Sequence, residues 1–290
     1  MFTIKEYQGV DGRPLRYGQL AHPERPSTGR ALLYVPGLGG SVKGALEFLS
    51  ALLPEFSPIY GPDLRGFGMN TQPEPLQALD PIERDLEAFY RQVIEPAGHP
   101  ELALCGLSLG GALSTLMAAR NPERFGRLIL LAPAYKAHPK SFSLGYTLRS
   151  TLAHLIQGRR ARTTLPYGLR ELTSNEAVLN DPQYMQEPPL VLSPGFLLSA
   201  RSVCGKAYAH AARLTVPTMM VIPGQDAICD PRAMQQAFQR IPETTPKLCR
   251  EYTDYYHDVL MEEGASLKIA QEFLGWSFSW DSSTMASSSR

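Results

Sequence analysis

Apolar residues fall along this chain in two rhythms. Short unbroken runs, Ala31 to Val35, Leu102 to Cys105, Arg127 to Ala132, Thr218 to Ile222 and Leu248 to Tyr252, read as strands, and a turn follows each. Between them lie longer stretches with helical spacing. In the segment 80–95, Ile82, Leu86, Tyr90 and Val93 share one face, Asp80 can cap the first turn, Pro81 suits the first helical position, and Glu83 stands where a capping-box acid reaches back. A second helix begins after Leu109 and stops at Asn121-Pro122. A third opens at Asp230-Pro231 and carries Met234, Ala237, Phe238 and Ile241 on its buried side. This alternation predicts an α/β fold with a mostly parallel central sheet and flanking helices.

The alternation stops between Pro133 and Thr218. That span contains Pro139, Pro166, Pro182, Pro188, Pro189 and Pro194, and its best pattern is helical: Leu144, Leu148, Leu152 and Leu155. So long an excursion is uncommon as a loop inside a compact domain. Residues 135–212 are therefore expected to form an inserted helical cap on an α/β domain made of 1–134 and 213–280. The leucine-bearing helix has Arg149 on another face and runs into Arg159, Arg160 and Arg162. The favoured expectation packs its leucines on the α/β domain and leaves the arginines in solvent. The alternative lays a basic amphipathic helix on an anionic membrane surface. The Ser-rich end, 281–290, has little to bury and is expected to be disordered.

Composition narrows the function. The chain has 290 residues, 43% of them hydrophobic, and 28 basic against 28 acidic side chains, for a net charge of +0. Such a chain can bury a real core, and it lacks the basic excess by which bulk electrostatics would hold it to nucleic acid. The neutrality is a sum of opposites. Residues 135–212 hold 9 basic and 4 acidic side chains, a net of +5, which leaves −5 for the remainder. If the insertion covers the site, a positive side meets the incoming substrate, which suits anionic headgroups or interfaces. Cys105, Cys204, Cys229 and Cys249 are widely separated, so neither a disulfide framework nor a metal site is expected. Charges interrupt the N-terminal segment where a secretory signal needs its apolar stretch, and no segment approaches the ~18 apolar residues of a membrane span, so the expected location is cytoplasmic.

The sharpest chemical signal is Gly106-Leu-Ser108-Leu-Gly110, a G-x-S-x-G directly after a predicted strand and directly before a predicted helix. In that context the glycines make room for a strained turn that exposes a nucleophilic serine. A serine hydroxyl needs a base, and the base an orienting acid, in the chain order Ser, acid, His. His22 and His99 precede Ser108, and His138, His154 and His210 fall inside or at the edge of the insertion. Only His257 lies beyond the last predicted strand, in a turn opening a final helix. For the acid, Asp230 precedes Pro231 and a helix, so N-capping accounts for it. Asp226 follows the strand Thr218 to Ile222 by a short loop, where the triad acid belongs; Asp254 is the reserve. The oxyanion hole needs the amide after the nucleophile, Leu109, and one from the glycine-rich turn Pro36 to Gly40. Pro36 has no N–H, so Leu38 is the expected donor. Asp63 and Arg65 precede Ser108 and are expected to brace structure, and Cys105 to be a buried small side chain.

Over most of residues 10–275 the chain resembles the α/β-hydrolases of the monoacylglycerol lipase, lysophospholipase and serine aminopeptidase group. The resemblance is carried by the elbow, by Asp63-Leu-Arg-Gly-Phe-Gly68, by Pro223-Gly-Gln-Asp226 and by Tyr256-His257-Asp-Val-Leu260, and in the insertion by Leu172 to Pro189 around Asp181-Pro182. It implies an α/β-hydrolase fold and a cofactor-independent serine hydrolase acting through Ser108, His257 and Asp226. The implied substrates are small esters of monoacylglycerol or lysophospholipid type; the rivals are a serine aminopeptidase, a thioesterase or another amide or carbon–carbon bond hydrolase with the same triad, and a non-catalytic binding protein on the same fold. Where the family usually has His-Gly, this chain has Pro36-Gly37. The oxyanion donor is a backbone amide further on, so the departure bears on loop bracing rather than on the donor itself.

Overall fold

Eight strands form one sheet. In chain order they are β1 (Phe2–Gln8), β2 (Pro14–Leu20), β3 (Arg30–Val35), β4 (Ile59–Pro62), β5 (Glu101–Leu107), β6 (Arg127–Leu131), β9 (Thr218–Pro223) and β10 (Lys247–Tyr252), with a separate two-stranded ribbon of β7 (Thr163–Thr164) and β8 (Val191–Leu192). The computed structural model describes residues 1–185 and 190–288; residues 186–189, which include Glu187, Pro188 and Pro189, and 289–290 lie outside them. Across the sheet the order is β1-β2-β4-β3-β5-β6-β9-β10. β2 runs antiparallel to β1 and β4, while β4-β3-β5-β6-β9-β10 are parallel throughout. Central strands have no solvent face: Leu32, Leu33, Leu104, Ile129, Leu130, Met220 and Val221 are fully buried. That is why β3, β5, β6 and β9 read as unbroken apolar runs rather than as alternating ones.

Helices connect and cover the strands: α1 (Leu46–Leu52), α2 (Asp80–Phe89), α3 (Leu109–Arg120), α9 (Pro231–Arg240) and α10 (Ala265–Ser288). The segment 80–95 departs from its expected start. The N-cap is Leu79, and Asp80 caps nothing; it pairs instead with Arg84 at 2.9 Å. Leu79 is fully buried, and its carbonyl accepts from the amides of Ile82 and Glu83, so core packing draws the helix start back by a residue. Asp230 does cap α9, its side chain accepting from Arg232 N at 3.0 Å. The last helix runs to Ser288, through most of the stretch expected to be disordered. Once Ala265, Ile269, Ala270 and Phe273 anchor it in the core, each further residue extends a helix already nucleated.

Between β6 and β9 the chain builds α4 (Leu144–Gln157), α5 (Leu169–Leu172), α6 (Glu176–Leu179), α7 (Pro182–Met185) and α8 (Pro194–His210), with the β7-β8 ribbon among them. α8 packs on α3 and buries Phe196, Val203 and Ala207. α4 behaves otherwise. Leu144, Leu148, Leu152 and Leu155 are 85%, 67%, 53% and 75% exposed, so the leucine face expected to pack on the rest of the protein faces outward. Its inward side carries Tyr146, Thr147, Ser150 and Thr151, which line a cavity. Periodicity identified an amphipathic helix but held no information on which face meets the protein. Among the described residues, no helix is long and apolar enough to cross a membrane.

Candidate active site

β5 ends at Leu107 and α3 begins at Leu109, which leaves Ser108 alone in the turn with φ 53° and ψ −116°. That conformation costs a non-glycine residue on the order of 1–3 kcal/mol and persists only where its surroundings impose it. Here Ser108 N donates to the Leu131 carbonyl at 2.9 Å, and the Ser108 carbonyl accepts from Ala112 N at 3.1 Å and Ala134 N at 2.9 Å. The flanking glycines are steric necessities. A Cβ on Gly106 would run into the Gly110 carbonyl and Ser114 Oγ, and one on Gly110 into the carbonyl oxygens of Val35 and Pro36.

His257 Nε2 lies 2.8 Å from Ser108 Oγ, and His257 Nδ1 lies 2.6 Å from Asp226 Oδ2. Both His257 and Asp226 are buried. The second oxygen of Asp226 accepts from Ile228 N and Cys229 N, each at 2.8 Å, so the carboxylate is held from both sides. Burial pulls the His257 pKa down, but the charge of Asp226, the hydrogen bond to it and the charge of Asp258 outweigh that and raise it above the ordinary 6.5. Asp254, the reserve acid, is exposed and accepts a hydrogen bond from Thr253 Oγ1 at 3.2 Å.

The loop carrying His257 is longer than its sequence suggests, since α10 starts only at Ala265. It is held by a residue that motif reading missed, Glu262. Its buried carboxylate accepts from Tyr256 N at 3.1 Å, beside His257, and from Ser174 N at 3.0 Å and Ser174 Oγ at 2.6 Å in the insertion. Asp258 N donates to the Leu172 carbonyl at 2.8 Å, and Asn175 Nδ2 to the Met261 carbonyl at 2.9 Å. The histidine loop and the insertion are thus bonded to each other. The only sequence signal was an acid five residues after the histidine, which by itself means nothing.

Leu109 opens α3, so its amide is among those a helix leaves without an intrahelical acceptor. Leu38 lies in the turn after β3 and lines the same cavity as Ser108. That turn sits against Ser108: a Cβ on Gly37 would lie 3.3 Å from Ser108 Cβ. Its far end is tied by Asp63, whose buried carboxylate accepts from Val42 N at 2.7 Å and Met69 N at 2.8 Å. Arg65 pairs not with Asp63 but with Asp85, at 2.6 and 2.9 Å, and with Asp11, at 2.8 and 2.9 Å, which fastens the β1-β2 turn to α2. Both are braces. His99 meets Tyr60, and Cys105 is fully buried.

The Cys229 thiol lies with ligand atoms of Asp226 and His257 inside 4.8 Å, a spacing a metal could use. The donor set fits poorly. His257 and Asp226 are already bonded to each other, and burial, then the nearby Asp226 charge, push the Cys229 thiol pKa well up, against the thiolate a metal needs. Ser108 opens into a cavity of about 600 Å³ between the sheet's elbow and the insertion, lined mainly by apolar side chains including Phe142, Tyr167, Leu197 and Ile228. Among the described residues, no Asp or Glu lines it.

A mostly parallel sheet, a serine at a strand-to-helix elbow and a helical roof define the class: an α/β-hydrolase fold and a serine hydrolase. Residues 26–264 match the model of the family described as serine aminopeptidase, S33, and the chain belongs to that family. Among curated proteins it is similar to the monoglyceride lipase of Rattus norvegicus, 25% identical over 246 residues that make up 80% of this chain and 77% of that one. Among solved structures it is similar to a soluble variant of monoglyceride lipase from Saccharomyces cerevisiae in complex with a substrate analog, with a TM-score of 0.79 and 18% identity over 94% of this chain and 95% of that one. It is also similar to the monoacylglycerol lipase of Paleococcus ferrophilus, with a TM-score of 0.75 and 18% identity over 90% and 97% of the two chains.

Proposed function

We propose that the protein is a carboxylic ester hydrolase acting on singly acylated, lipid-like esters through a Ser108-His257-Asp226 triad. The observation that carries this reading is the continuous chain of hydrogen bonds from Asp226 to Ser108 Oγ at the floor of a largely apolar cavity. Ser108 Oγ attacks the ester carbonyl as its proton passes to His257 Nε2; Asp226 holds Nδ1–H and stabilises the imidazolium. The amides of Leu38 and Leu109 receive the developing oxyanion. His257 then protonates the departing alcohol, leaving an acyl-serine. Water, deprotonated by the same nitrogen, adds to the acyl carbonyl; the tetrahedral adduct expels Ser108 Oγ, which recovers the proton, and the acid leaves. No cofactor takes part in these steps.

The family's description names an aminopeptidase, whose cationic substrate amine calls for a carboxylate. The absence of Asp and Glu from the described cavity lining weighs against that reading. The segment 135–212 serves as a cap, and the outward leucines of α4, with Arg149, Arg159 and Arg160 nearby in the chain, support transient docking on an anionic membrane surface. Four free cysteines suit the reducing cytoplasm. A panel of monoacyl esters set beside an aminoacyl amide tests the proposal. Esters are expected to be preferred, and Ser108→Ala to lose on the order of 10⁴ to 10⁶ in kcat. Preference for the amide, or near-full esterase activity in Ser108→Ala, would overturn it.

A further inference from the structure

The cavity-facing side of α8 breaks its own pattern. Leu197, Cys204 and Tyr208 line the cavity at helical spacing, and between them, on the same stripe, stands Arg201. A second cation, Lys136, projects from the run Ala134 to Ala137 immediately after β6. Its backbone is fixed there, the Lys136 carbonyl accepting from Asp230 N at 2.8 Å and Ala137 bridging to Cys229. Both side chains are exposed, and neither has an ion-pair partner among the described residues. On the facing wall, Ser150 of α4 buries a hydroxyl that finds no hydrogen-bond partner among them. A cavity with two unpaired cations, an idle buried hydroxyl and no carboxylate among its described lining residues is poorly built for a neutral ligand alone. An unsatisfied buried hydroxyl is unfavourable until a ligand meets it, and cations at the mouth of an apolar cavity draw in the opposite charge.

We propose that the enzyme selects singly acylated esters that also carry an anionic group, a phosphate or a carboxylate, with Arg201 and Lys136 as the specificity-determining residues and Ser150 as a further donor to the substrate. This deepens the ester-hydrolase reading and rests on it. The acyl chain occupies the apolar part of the cavity, and the charge is met by Arg201 and Lys136, in the positive insertion and at its border with the sheet.

The test compares kcat/KM for monodecanoylglycerol and for monodecanoylglycerol phosphate, with a carboxylate-bearing decanoyl ester as a third arm, each normalised to the fraction of Ser108 that a fluorophosphonate labels. Wild-type protein is expected to prefer the charged esters by about tenfold or more, the worth of one charge-assisted contact. The charged-to-neutral ratio should fall about tenfold in Arg201→Gln and in Lys136→Gln. It should be largely retained in Arg201→Lys and compressed in about 0.5 M salt. Phosphate preferred over carboxylate, or the reverse, names the source of the charge. Turnover of the neutral ester with a ratio near or below one, or a ratio that none of the substitutions moves, overturns this inference and leaves the ester-hydrolase reading intact. Failure to label Ser108 together with failure to cleave any ester overturns both.

Discussion

The floor and the roof of this cavity are built on opposite plans. At the floor, Ser108 and Asp226 follow the buried strands β5 and β9 and His257 follows the edge strand β10, and hydrogen bonds from backbone and side chains hold them. In the roof, α4 turns its leucines to solvent and its hydroxyls inward, and Arg201 stands on the cavity side of α8. The floor is polar chemistry imposed by an apolar core, whereas the roof is arranged around what it meets from outside and what enters beneath it. The proposed catalytic geometry would thus sit where packing is least forgiving, and the proposed selectivity where side chains are free to change.

Two glycine substitutions set the regions against each other. Gly110→Ala drives a methyl into the carbonyl oxygens of Val35 and Pro36, backbone atoms that cannot step aside, whereas a Cβ on Gly205, in the middle of α8, meets nothing within 4 Å. Thermal or denaturant unfolding should show a loss of about 3 kcal/mol or more for Gly110→Ala. Gly205→Ala should gain about 0.5–1 kcal/mol from helix propensity. Equal tolerance at both positions would erase the contrast between a rigid floor and a permissive roof.

The same contrast decides what could be read from the sequence. The central strands were legible because burial on both faces leaves an apolar run, and the elbow because its glycines are forced by backbone contact. β1 was not, since most of its residues face solvent, and β4 is only Ile-Tyr-Gly-Pro, too short and too rich in turn residues to announce a strand. Ser108, Asp226 and His257, which the fold brings into one hydrogen-bonded row, could be picked out as candidates because chain order and loop position constrain them. Glu262 could not, because its partners, Tyr256 and Ser174, lie in segments that only the fold brings together. The facing of α4 was read the wrong way for a related reason: the moment of a helix has a direction, but the sequence does not say what stands on each side of it.

Protonation of His257 offers a milder probe of the floor. Because its folded pKa is raised, the protonated imidazole contributes stability below 6.5 that is lost as pH rises through the higher folded value. The proposed mechanism uses the neutral form as its base, so kcat/KM should climb as pH passes that folded value, in the range where this part of the stability is being given up. Asp258 is one of the charges raising it. Asp258→Asn should therefore move the acidic limb of the pH–rate profile to lower pH, with the alkaline plateau less affected. An unmoved limb, or one displaced upward, would show that Asp258 does not act on the base.

The smallest expected change in stability belongs to the roof, in Leu148→Ser with Leu152→Ser. If these leucines packed on the protein, removing them would destabilise it by about 2–5 kcal/mol each, as large-to-small substitutions in a core do. At 67% and 53% exposure they bury little, so unfolding should shift by no more than about 0.5 kcal/mol per site. What should change is partitioning onto vesicles containing anionic lipid, by about tenfold or more for the pair, since each leucine that enters the interface brings apolar area with it. Co-sedimentation at low and high salt separates that apolar contribution from attraction through Arg149, Arg159 and Arg160. A large loss of stability with vesicle binding unaltered would return the leucines to the core and make the roof as closed as the floor.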